Sequence, residues 1–266
     1  MAADIFDRAR AASRDLEGVT RPAWSSEDQA AADILLGAAQ EHGLTTRMDA
    51  IGNTYARLAG RDETAPGILS GSHLDSVARG GNFDGLAGAV AAVTALAAIR
   101  RAGMVPGCNL TAMGTRCEES VWFGIAYVGA RLAVGNMDRA EFDALVRLDS
   151  GRSIADHMTD QGLAVDDIWR ADGPEIKPAN TKAFLELHIE QGPLLMEQDA
   201  PLGIATAVRG NLRYGDGVCY GAYQHSAATP RRLRQDTVLA VTELLQRLEA
   251  LWHEIEDGVD PSAVFT

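Results

Sequence analysis

The stretch Gly-Ser-His-Leu-Asp at residues 71–75 is followed closely by Gly-Gly-Asn-Phe-Asp-Gly at 80–85, so that a histidine and two carboxylates lie among glycine-rich turns. The apolar run at 67–70 predicts a buried strand that ends near His73. In open α/β sheets, binding and catalytic sites collect beyond the ends of strands. The stretch therefore predicts an α/β fold with a site at one edge of its sheet.

Helical and strand-like segments alternate along the rest of the chain, which predicts a layered α/β domain. A helix should begin at Ser25 and end before Gly43, because serine is a preferred N-cap and glycine a preferred C-terminal stop. The other predicted helices cover residues 86–101, 123–134, 139–145 and 236–255. The predicted strands cover residues 47–49, 54–58, 68–75, 110–116, 184–190 and 214–220.

Two further segments with metal-ligand residues follow apolar runs of strand character. They are Cys-Glu-Glu-Ser at 117–120 and Leu-His-Ile-Glu-Gln-Gly at 187–192. Charged side chains are usually solvated, and a single histidine after a strand is more often hydrogen-bonded than bound to a metal. The conjunction of several such residues between apolar and glycine-rich segments, where unpaired charge is costly, nevertheless indicates a metal site. The candidate ligands are His73, Asp84, Glu119 and His188.

The positions of these residues suggest different roles. Asp75 lies two residues after His73, on the same face of a strand, where its carboxylate can hold the imidazole in one tautomer. Asp84 lies in a loop that opens a long apolar helix, and its carboxylate can face two cations. Glu118 and Glu119 should point to opposite sides of an extended backbone, so that one binds metal and the other transfers protons.

Three other histidines lack this context. His42 precedes a glycine at a predicted helix end, and His157 and His253 lie in polar helical stretches. We expect all three on the surface.

Four motifs resemble the amidase/carbamoylase branch of the zinc aminoacylase and carboxypeptidase superfamily, which includes N-carbamoyl-L-amino-acid hydrolases, β-ureidopropionases and allantoate amidohydrolases. They are Gly-Ser-His-Leu-Asp-Ser at 71–76, Gly-Gly-Asn-Phe-Asp-Gly at 80–85, Glu118-Glu119 with Phe123-Gly124, and Leu-His-Ile-Glu-Gln-Gly-Pro at 187–193. The resemblance implies a metallohydrolase catalytic domain over residues 1–209. It also implies an inserted, smaller lid and dimerisation domain over residues 210–266.

The resemblance further implies two divalent metal ions. One would be held by His73, Asp84 and His188, and the other by Asp84 and Glu119. Glu118 would be the general base and Asp75 would support His73. Histidine and carboxylate ligands suit zinc, manganese, cobalt or nickel, so the sequence does not select among them.

The segment from Tyr223 to Asp236 resembles part of the family's lid domain. In that family the counterpart of His225 reaches the site of a partner subunit and steadies the oxyanion, which implies a homodimer. The counterpart of Gln191 contacts substrate, and Arg234, whose counterpart is a frequent motif residue, is a further candidate for substrate binding. From the residues alone, His225 is more typical of a loop residue than of a catalytic one, and Arg234 is consistent with the start of a helix.

Two departures from the family pattern bear on function. Trp122 stands where the family often has arginine, so no particular substrate can be transferred from it. Full members of the family are also considerably longer. The resemblance therefore implies a C-terminally truncated chain that lacks the last ligand of the second metal ion.

The expected reaction is metal-dependent hydrolysis of a linear amide in a small molecule. The bond would be the carbamoyl or ureido C–N bond of an N-carbamoyl amino acid or ureido acid, with release of ammonia and carbon dioxide. A peptide or N-acyl amino acid deacylase of the same superfamily is one alternative. The other is an incomplete fragment that only binds metal or a partner subunit.

Composition narrows the class of partner and compartment. The net charge of −13, with no basic stripe, argues against nucleic-acid binding. No apolar run approaches the roughly 20 residues of a membrane span, and the Met-Ala-Ala-Asp start has no apolar signal region. The 3 cysteines have no paired spacing, which is typical of reduced thiols. We therefore predict a cytoplasmic protein.

Overall fold

The computed structural model describes residues 1–170, 173–206 and 217–259. The chain divides into two compact units, Met1–Pro193 and Leu194–Thr266. The domain boundary predicted between residues 209 and 210 lies outside the described residues.

The described strands and helices alternate along most of the first unit. The strands are β1 (Arg14–Asp15), β2 (Gly18–Val19), β3 (Thr45–Met48), β4 (Thr54–Leu58), β5 (Gly67–His73), β6 (Leu110–Thr115) and β7 (Thr181–Leu185). The α-helices are α1 (Ala2–Ser13), α2 (Ser26–Glu41), α3 (Leu86–Arg101), α4 (Val128–Ala133), α5 (Arg139–Asp143), α6 (Ile154–Asp160), α7 (Asp167–Arg170), α8 (Leu194–Glu197) and α9 (Thr237–Gly258).

The main sheet of the first unit has five strands in the order β3-β4-β6-β5-β7. The β3–β4 and β4–β6 pairs are antiparallel, whereas β5 is parallel to both β6 and β7. Helix α3 connects the parallel neighbours β5 and β6, as parallel pairing requires a crossover. This mixed sheet confirms the α/β fold class predicted from the sequence.

Two apolar clusters cover the opposite faces of this sheet. Ala56 and Ala112 belong to the cluster with α1, α2 and α3, whereas their chain neighbours Tyr55 and Met113 belong to the other. Successive residues of a strand point to opposite faces, so the two clusters lie on the two sides of the sheet. The second cluster is built largely from residues 122–158.

The register of the parallel strands determines where the site forms. His73, the last residue of β5, pairs with Thr115, the last residue of β6. The segments that follow both strands therefore leave the sheet side by side. These segments contain Asp75 and Glu118.

Several elements agree closely with the prediction. The bounds of β4 and α3 are as predicted. Helix α2 has Ser25 as its N-cap, whose side chain accepts a hydrogen bond from the Asp28 backbone, and Gly43 follows its end with φ +76°.

Other elements differ from the prediction. The helix predicted over 123–134 begins only at Val128, because Gly124 and Tyr127 have positive φ and residues 123–127 form turns. The strand predicted over 184–190 is β7, which ends at Leu185. Helix α1 was not predicted. Of the strand predicted over 214–220, residues 214–216 lie outside the described residues and 217–220 are not a strand.

The described part of the second unit contains α8, α9 and a short 3-10 helix at Arg231–Leu233. Helix α9 spans 22 residues, none of them buried, and Asp236 caps it by accepting hydrogen bonds from the Val238 and Leu239 backbone. This helix agrees with the prediction over 236–255. Among the described residues, no helix combines the length and apolar character needed to cross a membrane.

Candidate metal centre

His73 presents one ring nitrogen to the site and uses the other for support. Its Nδ1 lies 2.9 Å from the backbone carbonyl oxygen of Asp75, and its side chain is almost fully buried. A carbonyl oxygen only accepts hydrogen bonds, so this contact favours a proton on Nδ1 and a lone pair on Nε2. Such support of a histidine by a carbonyl is typical of metal ligands.

Asp75 supports the site through both its backbone and its carboxylate. Its backbone, rather than its carboxylate, makes the short contact with His73, since Oδ1 is 3.5 Å from Nδ1. The carboxylate instead accepts hydrogen bonds from the backbone N–H groups of Glu118 at 3.0 Å and Glu119 at 3.1 Å. The buried Asp75 therefore ties together the segments that follow β5 and β6.

Asp84 lies in the glycine-rich loop before α3. Its Oδ2 accepts a hydrogen bond of 2.7 Å from Gln191 Nε2, whereas Oδ1 is buried without a hydrogen bond among the described residues. The next residue, Gly85, has φ +63°, and a Cβ there would lie 2.4 Å from the His73 ring. Glycine is therefore required for the loop to pass so close to His73.

His188 repeats the arrangement of His73. Its Nδ1 lies 2.8 Å from the backbone carbonyl of Ile189, which leaves Nε2 3.3 Å from Asp84 Oδ1. The rings of His73 and His188 are stacked, with centroids 5.9 Å apart. Asp84 Oδ1 is thus approached by the Nε2 atoms of both histidines, at 4.0 Å for His73.

The donor set fits a divalent metal ion. His73, Asp84 and His188 each offer one ligand atom, and these atoms lie within 4.8 Å of one another. A buried carboxylate oxygen without a partner is costly, and a bound cation would satisfy it. Two neutral imidazoles and one carboxylate are common ligands of zinc and related transition metals.

Charge at the site is concentrated around the buried His73. Burial lowers the pKa of His73, but the nearby carboxylate and backbone carbonyl of Asp75 and the charge of Glu118 outweigh it and raise this pKa to about 9. In the absence of a cation, a proton on His73 therefore balances the surrounding carboxylates. A metal ion and this proton would compete for the same nitrogen.

A second group of ligand atoms shares His73 with the first. It consists of His73, Glu118 and Glu119, again within 4.8 Å. Burial raises the pKa of Glu118, and burial together with the charge of Glu118 raises that of Glu119 to about 7. The structure thus groups Glu119 with His73, and the predicted pairing of Glu119 with Asp84 stays a prediction.

The two glutamates do not diverge as an extended backbone would require. The chain leaves the extended conformation at Cys117, whose φ is +54°, and the Asp75 carboxylate then binds both glutamate N–H groups. Both carboxylates consequently reach toward His73. The expectation that they point to opposite sides is wrong for this reason.

Two fully buried arginines support the site, and the sequence analysis did not identify either. Arg116, directly after β6, forms an ion pair of 2.7 Å with Asp28 at the start of α2. Arg21 donates to the backbone carbonyl of Leu74 and to the Asn82 side chain. The available signal was an arginine within or beside apolar, strand-like sequence, where an unpaired cation would be costly.

The surface prediction is confirmed for His42 and His253 and is wrong for His157. His157 is 6% exposed, accepts or donates a 2.9 Å hydrogen bond with Ser150, and packs against the Phe123 edge in the second core cluster. Its burial follows from α6 contributing to that core. Trp122 is also buried, and its Nε1 donates to the Ser76 carbonyl rather than facing an open cleft.

The remaining predicted residues divide between the two units. Gln191 lies in the first unit, bonded to Asp84. His225 and Arg234 lie in the second, where His225 Nδ1 accepts from the Ala227 and Ala228 backbone and Arg234 donates to carbonyls of its own loop. The roles of all three remain predictions.

The first unit is therefore an α/β protein with a candidate metal centre at the end of its sheet. A scan against family models gave no match. The chain is 34% identical over 241 residues to the N-carbamoyl-L-amino-acid amidohydrolase of Paenarthrobacter aurescens. It is 32% identical over 246 residues to the allantoate amidohydrolase of Bacillus subtilis.

These matches cover most of this chain and a little over half of each relative. They span 91% and 90% of the chain but 57% of either relative. The crystal structure of a hydantoinase/carbamoylase family amidase from Burkholderia ambifaria matches 94% of the chain and 60% of that structure, with a TM-score of 0.74 and 26% identity. The resemblance read from the motifs is thus confirmed: the chain is a homologue of these amidohydrolases and has their fold.

Proposed function

We propose that this chain carries the metal centre of an amidohydrolase that cleaves the carbamoyl or ureido C–N bond of an N-carbamoyl amino acid or ureido acid. The observation that carries the proposal is the convergence of His73, Asp84 and His188, with Glu118 beside them. The names of the homologues support the substrate class. Because the chain spans 57% of those relatives, turnover is proposed for the whole protein.

Two divalent ions would occupy the site. His73, Asp84 and His188 would hold one, and Asp84 with Glu119 would hold the other; zinc, manganese, cobalt or nickel are suitable metals. When bound, such ions polarise a carbonyl and lower the pKa of a bound water toward about 7.

Glu118 would move the proton in this reaction. Its carboxylate lies 3.9 Å from His73 Nε2, is half-buried, and has a pKa raised by burial. A raised pKa makes a carboxylate a better proton acceptor from water near neutral pH. The Asp75 carboxylate would keep Glu118 in position by accepting a hydrogen bond from the Glu118 backbone N–H. Gln191 would orient both Asp84 and the substrate.

His225 would stabilise the negative charge that develops on the carbonyl oxygen. Its Nδ1 accepts two backbone hydrogen bonds, so its proton resides on Nε2, which is the form that donates. A fixed donor of this kind favours an oxyanion. Arg234 would act less directly, because its guanidinium holds the loop that contains His225.

The wider assignment follows the family resemblance. The catalytic domain would cover residues 1–209 and the lid and dimerisation domain 210–266, with a homodimer bringing His225 to a partner's site. A cytoplasmic location accords with the three free thiols of Cys108, Cys117 and Cys219. The reaction would release the free amino acid, carbon dioxide and ammonia.

Trp122 bears on the deacylase alternative, because a larger acyl group would need additional space in the substrate pocket. This residue stands where the family often has arginine. Its indole instead packs in the second core cluster. Among the described residues, no feature favours an acyl group over a carbamoyl group.

The proposal is tested by metal content and product formation. The purified protein would be loaded with zinc or manganese, desalted, and assayed for ammonia with N-carbamoyl and N-acetyl amino acids side by side. Two ions per chain and ammonia from the carbamoyl substrates support the proposal. Amino acid release from the N-acetyl substrates alone would favour a deacylase, and bound metal without any product would favour a binding fragment.

A Glu118→Gln variant separates chemistry from metal binding. It removes the proposed base and keeps the side-chain length, so ammonia release should fall at least about 100-fold, as for loss of a general base. The amount of metal bound by His73, Asp84 and His188 should be unchanged. An active Glu118→Gln variant would contradict the proposed role.

A further inference from the structure

The side chain of Arg21 contacts the two segments that position His73 and Asp84, two of the three residues in the first metal-ligand group. Its Nε donates to the Leu74 carbonyl at 2.9 Å, next to His73 and Asp75. Its Nη1 donates to Asn82 Oδ1 at 3.1 Å, in the loop that ends with Asp84. One planar guanidinium therefore joins the segment after β5 to the glycine-rich loop.

The backbone of Arg21 reinforces the same connection. Its N–H donates to Ser76 Oγ at 3.0 Å, and its carbonyl accepts from the Ser76 N–H at 3.1 Å. Asn82 in turn donates through Nδ2 to the Phe6 carbonyl at 3.0 Å, which anchors the loop to α1. The N-terminal segment thus anchors both loops through hydrogen bonds.

The charge of Arg21 is also directed at the site. The residue is fully buried, and no ion pair among the described residues includes it. Its guanidinium interacts through space with Asp28, Asp75 and Asp84. Arg21 therefore contributes charge as well as hydrogen bonds to the surroundings of Asp84.

We infer that Arg21 is a positioning residue of the metal centre, which sets the distance between the His73 and Asp84 loops and so controls divalent-metal affinity. The inference rests on the proposed metal site and adds a residue outside the ligand set. Outer partners of metal ligands typically change affinity by about 10- to 100-fold when removed. The same range is expected here.

Arg21→Met tests the inference, because it removes the donors and the charge while keeping an unbranched chain. Zinc and manganese dissociation constants should rise about 10- to 100-fold, measured by competition with a chelating dye on folded protein. In the metal-free protein, amide hydrogen exchange should accelerate at residues 74–76 and 82–84. Arg21→Lys should give a smaller loss, since lysine keeps the charge but not the fork of donors.

Two controls separate positioning from general destabilisation. Leu35→Ala removes a buried apolar side chain of α2 in the first core cluster; it should lower the melting temperature and leave metal affinity unchanged. Arg131→Lys makes the same substitution as Arg21→Lys, in an arginine that forms an ion pair with Glu141. It should change neither metal affinity nor hydrogen exchange at residues 74–76 and 82–84.

A milder pair of variants keeps the test valid if Arg21→Met does not fold. Asn82→Ala breaks the link to the Asp84 loop and should weaken metal binding. Asn109→Ala removes an asparagine that joins two loops before β6, through Gly60 and Glu63, and should not. Equal metal affinity in Asn82→Ala and Asn109→Ala would overturn the inference.

The other outcomes are also decisive. Folded Arg21→Met with metal affinity within twofold of wild type and unchanged exchange in both loops would overturn the inference. If the wild-type protein binds no metal, the proposed centre fails. In that case the exchange comparison between Arg21→Met and Leu35→Ala still decides whether Arg21 fixes the two loops.

Discussion

The ends of β5 and β6 and the segment after β7 contribute to the same candidate site, yet they are built very differently. His73, Asp75 and the N–H groups of Glu118 and Glu119 are held by buried hydrogen bonds, and Arg116 and Arg21 support them from beneath. The side chains of β7 are exposed at the edge of the sheet, with Phe184 at 49% and Leu185 at 59%. One half of the site is therefore preorganised by the core.

The other half depends on few contacts. Glu186 accepts a hydrogen bond of 2.5 Å from Ser72, and Gln191 donates one to Asp84. His188 lies between them and faces Asp84. A metal ion would therefore add most of its stabilisation to this second half. There it would hold the exposed segment against the buried residues that follow β5 and β6.

The largest effect is expected from Asp84→Asn, because Asp84 Oδ1 is the atom on which both histidines converge. The amide keeps the shape but loses the negative charge, so the metal dissociation constant should rise at least about 100-fold, beyond the range for outer partners. Competition with a chelating dye measures this. Asp143→Asn, which only breaks an exposed pair with Arg139, is the control; similar affinities in the two variants would contradict the assigned ligand.

The contact between α3 and the exposed segment can be broken directly by Gly88→Ala. A Cβ at Gly88 would lie 2.2 Å from the Leu187 carbonyl oxygen, so the segment must shift next to His188. We expect a loss of about 1–3 kcal/mol in the free energy of unfolding, as for overpacking, and about tenfold weaker metal binding.

Gly37→Ala is the matched control for this substitution. Gly37 also lies inside a helix, but nothing is within 4 Å of a Cβ placed there. Alanine at this position should stabilise the protein by about 0.5–1 kcal/mol and leave metal affinity unchanged. If Gly88→Ala behaves like Gly37→Ala in chemical denaturation and metal binding, the Leu187 backbone does not lie as close to Gly88 as the structure indicates.

Metal removal should sharpen the same contrast without any substitution. After treatment with a chelator, amides of residues 186–191 should exchange faster, because the ion no longer joins His188 to the buried residues that follow β5 and β6. Amides within β5 and β6 should keep their protection, since their bonds lie inside the sheet. Hydrogen exchange followed by mass spectrometry distinguishes these regions, and uniform changes in both would contradict the division.

The smallest effect concerns the pH dependence of folding stability. It arises at His157, which packs against Phe123 of the second core cluster. Burial, followed by the charges of Arg147 and Arg152, lowers the pKa of His157 below 6.5. The unfolded state then binds the proton first as pH falls, so stability is present above about pH 6.5 and declines below it.

Urea denaturation at pH 7.5 and pH 5.5 measures this decline. His157→Gln keeps a partner for Ser150 but does not titrate, so its stability should change less between the two pH values. An equal change in wild type and His157→Gln would assign the pH dependence to other groups.

The sequence predicted the elements whose signals are local. The apolar run of α3 and the serine cap of α2 are encoded within their own segments. The apolar run before His73 likewise predicted a strand that ends near this residue. The ligand candidates were visible because histidine and carboxylate residues stood in apolar or glycine-rich surroundings. Their convergence is the structural counterpart of those signals.

The parts that could not be predicted depend on distant contacts. Asp75 turns its carboxylate to the glutamate N–H groups because β5 and β6 end side by side, which no local pattern encodes. Arg21 and Arg116 lie beside apolar sequence, but only the fold shows their carbonyl and carboxylate partners. His157 likewise is buried because α6 packs into the core, although the surrounding sequence is polar.

The most direct test of the metal centre is X-ray absorption spectroscopy of the zinc-loaded protein, compared with His73→Gln and His188→Gln. We predict imidazole scattering with Zn–N distances of about 2.0–2.1 Å together with carboxylate oxygen, and a loss of imidazole signal in each variant. Zinc bound through sulfur, or an imidazole signal unchanged in both variants, would contradict the site built from His73, Asp84 and His188.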